Sequence, residues 1–229
     1  MLYRLFRLPP LVYFIAAPLV LALGVFLYFE ETGKASERAA ALSHEAPAEI
    51  ALADIKGETS GSDYNEIVVR AQGDLVNTIE MVRTKRGSER GRKVFMPLFP
   101  ADAPDFTGQA LGVMQVDSAL SDQELERMYV ADGPAGPVFL INGTLEGINS
   151  SEALEALSPH VTLAPGFHTV KPFLGGREAA LSEEGMGSIL LILGLVLAGV
   201  LGGYGFLRKR HLDKQRKADE AEYAEYAQS

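Results

Sequence analysis

Residues 11–29 read LVYFIAAPLVLALGVFLYF, and residues 187–207 read GSILLILGLVLAGVLGGYGFL; neither stretch contains a charged side chain. At about 1.5 Å per residue each would cover roughly 30 Å as a helix, the thickness of a bilayer's hydrocarbon core. Both are expected to be transmembrane helices, and this expectation decides how the rest of the chain is read. The first stretch is longer than the apolar core of a signal peptide. The nearest small-residue triplet, Ala39–Ala41, lies well past its end, so an uncleaved anchor is expected.

The flanks orient the two segments. Arg4 and Arg7 precede the first, and Arg208, Lys209, Arg210, Lys214, Arg216 and Lys217 follow the second. Acids occupy the inner flanks: Glu30 and Glu31 after the first, Glu183 and Glu184 before the second. By the positive-inside rule residues 1–10 and 208–229 belong in the cytoplasm, and residues 30–186 in the periplasm or outside the cell. A bacterial inner membrane is the expected setting. The segment from Arg208 to Lys217 is expected to meet anionic lipid headgroups, and the acidic stretch after it reads as a tail.

Between the two segments, residues 30–48 are rich in Ala and Glu and read as a helical stalk or linker ended by Pro47. Residues 49–185 read as one β-rich domain. EIVVRA (66–71), LVNTIEMVRT (75–84), KVFMPLF (93–99), ALGVMQVD (110–117) and GPVFLINGTLEG (136–147) are strand candidates. Pro97 predicts an edge or a bulge. Ser121 with Glu124 predicts a capping box, and Ser150 a second helix start. Residues 160–164 and 167–173 predict a closing hairpin around Pro165-Gly166. The fold class is therefore two transmembrane α-helices flanking a mainly antiparallel β-rich extracytoplasmic domain, of α+β or small-barrel type.

One stretch stands apart. VRTKRGSERGRK (82–93) holds Arg83, Lys85, Arg86, Arg90, Arg92 and Lys93 within a chain of net charge −9. It predicts a β-hairpin with a basic tip. Two uses fit it: a solvated hairpin end, or a docking patch for an acidic partner or lipid headgroups. Nucleic acid is not an expected partner for an acidic domain outside the cytoplasm. In the second apolar segment, Gly194, Ala198 and Gly202 recur every four residues, as do Gly199 and Gly203, which predicts a helix-packing face. Its partner could be the first segment, a second copy or another membrane protein.

Chemistry-bearing motifs are sparse. There is no Cys, and no nucleophile elbow, zincin helix or phosphate loop. His160 and His168 lie across a predicted turn, two ligands without a third at regular spacing. No catalytic residue, metal ligand or cofactor is assigned. Neither apolar segment holds an ionisable side chain, which argues against a pump or transporter acting alone. The layout resembles that of the surfeit-locus cytochrome oxidase assembly factors: short N-terminus, span, β-rich outer domain, second span. VFMPLFP and PVFLINGTL fall roughly where that family's strands fall. Its tryptophan-containing signature has no counterpart in a chain without Trp, so no residue role carries over.

The expected function is a non-catalytic two-span membrane protein, an accessory, assembly or scaffolding subunit of a larger membrane complex, with homo-oligomerisation open. An envelope sensor binding a ligand in the outer domain is the alternative, and a membrane-anchored enzyme a further one.

Overall fold

The computed structural model describes residues 8–55, 64–85, 87–182 and 185–226. In chain order the elements are α1 (Pro10–Ser43), β1 (Glu49–Ala51), a 3-10 turn (Leu52–Asp54), β2 (Glu66–Gly73), β3 (Ile79–Lys85), β4 (Ser88–Phe99) and β5 (Ala110–Val116). Then come α2 (Asp122–Met128), β6 (Tyr129–Asp132), β7 (Pro137–Ile148), α3 (Ser151–Leu157), β8 (Leu163–Pro172), α4 (Arg177–Leu181) and α5 (Gly187–Tyr226). Two compact units result: one holds the chain up to Ala35 and from Glu184 onward, the other Ser36–Glu183.

The first unit is an antiparallel helix pair. Both helices are long and apolar enough to cross a membrane, with mean hydropathy of 2.4 and 2.3 over their most apolar windows. Only 11% of each window is buried, which sets these helices apart from the core helices of soluble domains. Small residues bring the backbones together. A Cβ added to Gly24 would lie 3.1 Å from the Cα of Gly194, and the reverse holds equally. Toward the other end Tyr13 meets Tyr204 edge-on at 5.0 Å. The α1 helix does not stop where its apolar stretch stops. Ala-rich and Glu-rich sequence, with Lys34 reaching Glu30 one turn back at 2.7 Å, carries it to Ser43.

The second unit is a mixed β-sheet that closes on itself. β2 pairs antiparallel with β7 along its length and with β4 at Gln72 and Gly73. The ring runs β2–β4–β5–β8–β7 and back to β2, with β5 and β8 parallel. Counted along the chain, the ring order is first, second, third, fifth, fourth, and α2 lies between the third and fourth. This is the Greek-key connectivity of OB-type barrels. The interior is apolar: Val69, Met96, Leu98, Met114, Ile141 and Val170 are fully buried there. Leu52 of the 3-10 turn joins them. Gly112 makes room for it, since a Cβ there would come within 2.9 Å of the leucine.

Several expected features are present in detail. Ser121 and Glu124 form the capping box of α2, and Ser150 caps α3 by accepting from the Ala153 N–H. Pro97 is at neither an edge strand nor a bulge: it pairs with Val113 of β5, at the point where the other side of β4 passes from β3 to β2. No ladder N–H is needed there, and its carbonyl accepts from the Asp74 N–H at 3.0 Å. Other features differ. Within residues 160–173 the chain forms one strand, β8 (Leu163–Pro172), and no hairpin. Gly166, at φ 80°, donates its N–H to Asn149 Oδ1 and produces an irregularity within the strand, not a reversal of the chain. The strand expected from Leu75 begins at Ile79, because Asp74–Thr78 forms a turn held by the Asp74 carboxylate.

Candidate functional site

The basic cluster lies on the β3–β4 hairpin, and local geometry spreads it differently from the sequence reading. Lys85 pairs with Ser88 across the hairpin end, and Gly87 beside it has φ 78°, a backbone conformation that favours glycine. The turn is shorter than expected, so Arg90, Arg92 and Lys93 belong to β4 itself. Arg86 lies outside the described residues, and so does the Lys85 side chain.

Strand alternation then divides the cluster. Register pairs Met81 with Lys93, Arg83 with Gly91 and Val82 with Arg92. Directly opposed residues share a face, and neighbours along a strand take opposite faces. Arg83 and Lys93 therefore sit with Met81 and Phe95 on the outer face of the barrel, and Arg92 sits with Glu80 on the other. On the outer face α3 packs down. Its Ala153, Ala156 and Leu157 are buried against Phe95, Val113 and Phe167.

Between hairpin and helix runs a groove of about 280 Å³, floored by Met81 and Phe95. Charges alternate along it. Arg83 Nη2 donates to Glu152 Oε1 at 2.7 Å, and Lys93 donates to the other oxygen of the same carboxylate. Lys93 also lies 3.9 Å from Asp117, which accepts from Lys171 at 2.5 Å. On the other face Arg92 binds Glu89 at 3.0 Å, and also Glu80. The hydrogen bond from Lys93, followed by the charges of Lys93 and Arg83, holds Glu152 below the usual carboxylate range. For Asp117 burial pushes upward, but hydrogen bonds from Lys171 and Gln115 outweigh it and the net direction is down. Carboxylates held this way stay ionised near neutrality and are poor proton donors. Surface pairs of this kind set the groove's geometry more than its stability.

In OB-type barrels the face of the second and third ring strands commonly receives ligands. Here α3 fills that face with apolar packing. Arg90 is exposed on the groove rim, and Glu155 faces it across the opening. The remaining basic side chains described on the hairpin are engaged by acids of the same domain.

The helix-packing residues also divide. Gly194 is buried against Gly24, and a Cβ on Gly202 would lie 3.9 Å from that of Ala17. Ala198 is half-buried between them. Gly199 and Gly203 are exposed, with nothing within 4 Å of an added Cβ. Gly24 and Gly205 belong to the same seam and were not singled out from the sequence, although Gly24 is the small residue near the middle of the first apolar stretch.

The histidines do not converge on a site. His160 is exposed after α3, His168 is buried in β8, and His44 Nδ1 bonds the Ala40 carbonyl at 2.8 Å. No cluster of three metal-ligating side chains occurs among the described residues.

Two other constellations had no motif to announce them. Gln72 is fully buried, and its amide joins two loops. Arg177 pairs with Glu66 through Nε at 2.7 Å and Nη2 at 3.0 Å, with the Glu66 side chain only 2% exposed. The same Nη2 donates to the carbonyls of Ala41 and His44, closing the end of α1.

Comparison with family models, with curated proteins and with solved structures returns no match for this chain.

Proposed function

We propose that this chain is a two-span membrane protein acting as a non-catalytic accessory, assembly or scaffolding subunit of a larger membrane complex. The observation that carries the reading is the helix pair: two apolar helices are packed on each other through glycines, while most of their apolar surface remains uncovered. Surface of that kind is stable in lipid or against other apolar helices. The positive flanks favour both termini in the cytoplasm of a bacterial cell and the barrel on the far side of the inner membrane. The self-neutralised hairpin and the face filled by α3 support a protein-binding module over a nucleic-acid-binding one.

Purification in mild detergent tests the reading. Defined co-isolated membrane proteins, or a defined homo-oligomer, are expected. A chain that runs as a lone monomer at every detergent concentration overturns it.

A further inference from the structure

At one end of the barrel three loops are locked into a single surface. The Gln72 amide donates to the carbonyls of Pro100 at 3.0 Å and Ala103 at 2.9 Å. Its oxygen accepts from the N–H groups of Ala135 at 2.9 Å and Gly136 at 3.0 Å. Beside it the Asp74 carboxylate accepts from the N–H groups of Val76 and Asn77, both at 3.1 Å, and from Asn77 Nδ2 at 2.6 Å. Thr78 Oγ1 donates to the Asp74 carbonyl at 2.9 Å. Both Gln72 and Asp74 are 0% exposed.

This rigid turn presents apolar side chains to solvent. Leu75 is 47% exposed and Val76 91% exposed. Single exposed apolar residues are ordinary on protein surfaces. Here the turn is fixed by hydrogen bonds, so the ordering cost of an interface is met before any partner arrives. The charge around the turn has one sign. Asp102, Asp105 and Asp132 are exposed, and residues 74–78, 100–109 and 129–137 contain neither Lys nor Arg. An acidic rim repels phosphate backbones and anionic headgroups and matches a basic rim.

We propose that Leu75 and Val76 anchor a docking surface for a partner protein that offers an apolar cleft rimmed by Lys or Arg. The proposal rests on the subunit reading above and names the surface it uses. It differs from the basic hairpin both in place and in sign.

The test places a photo-reactive benzoylphenylalanine at Val76, at Val82 on the hairpin, or at Gly199 on α5, in the full chain in its native membrane. A discrete protein adduct is expected from position 76 and not from 82. The cross-linked partner peptide should be flanked by Lys or Arg. Changing Asp102, Asp105 and Asp132 to Lys should lower the yield at least about tenfold, as loss of rim complementarity predicts. Should that triple variant fold poorly, Val76→Asp in the same chain, probed from Leu75, should give the same loss, since so exposed a position has no packing to lose. A lipid adduct, an adduct equally strong from 82, or a yield unmoved by charge reversal overturns the proposal. Adducts from 199 without any from 76 overturn this surface and leave the subunit reading standing. Absence of adducts at all three, with a lone monomer in detergent, removes both.

Discussion

Gln72, itself fully buried, bridges two loops through four hydrogen bonds. Gln72→Leu keeps the volume and strands two carbonyls and two N–H groups. The expected cost is on the order of 2–4 kcal/mol, seen as a lowered melting temperature of the full chain in detergent. An unchanged melt would mean that water satisfies those groups. Glu152 carries a pH dependence of known sign. Its carboxyl is held below the ordinary glutamate value of 4.5, so it contributes stability above that value and loses it as pH falls through the folded-state one. Acidification should therefore loosen the contact of β3 with α3 before the five ring strands. Hydrogen exchange corrected for intrinsic rates reads this directly, and uniform loosening of all strands would contradict it. Arg177 is the third such residue. Arg177→Met leaves Glu66 buried without its guanidinium, at a cost of about 3–5 kcal/mol, and uncaps the end of α1. Exchange at residues 38–44 should rise with the fall in melting temperature.

At the scale of elements, the glycine seam decides whether the two long helices hold together. Gly194→Leu would drive a side chain into the Gly24 backbone, 3.1 Å from where a Cβ would begin. With no native cysteine, Ala17→Cys and Gly202→Cys can be oxidised as a defined pair. Their Cβ positions, 3.9 Å apart, suit a disulfide. Cross-linking should be efficient in the parent and largely lost with Gly194→Leu; equal yields would place the seam elsewhere. Elements with local signals were legible in the sequence: the two apolar stretches, the capping box at Ser121, the cap at Ser150 and most strands. The hairpin around Pro165-Gly166 was misread because a turn dipeptide cannot be told from a bulge by composition. Glycine at φ 80° permits both, and the long-range pairing of β8 with β5 and β7 decides. The basic run kept its hairpin, yet its partition between two faces depends on register, which composition does not contain.

For the molecule as a whole, closure of the barrel was the least legible feature. It depends on β2 meeting β7, far along the chain, and on β2 being buried on nearly every residue instead of alternating. The rigid loop end built by Gln72 and Asp74 was hidden for the same reason, since each side chain bonds segments distant in sequence. Only the acidic composition of those loops was visible. These features compose a barrel with one filled face, one self-neutralised hairpin and one rigid apolar end.

Topology is the central claim, and the absence of native cysteine makes it measurable with single introduced thiols. Ser158→Cys lies on the barrel and Gln215→Cys beyond the second apolar stretch, both at exposed positions. A membrane-impermeant maleimide applied to spheroplasts is predicted to label position 158 at once and position 215 only after the membrane is opened. Labelling of both without opening, or recovery of the chain in the soluble fraction, would contradict the account.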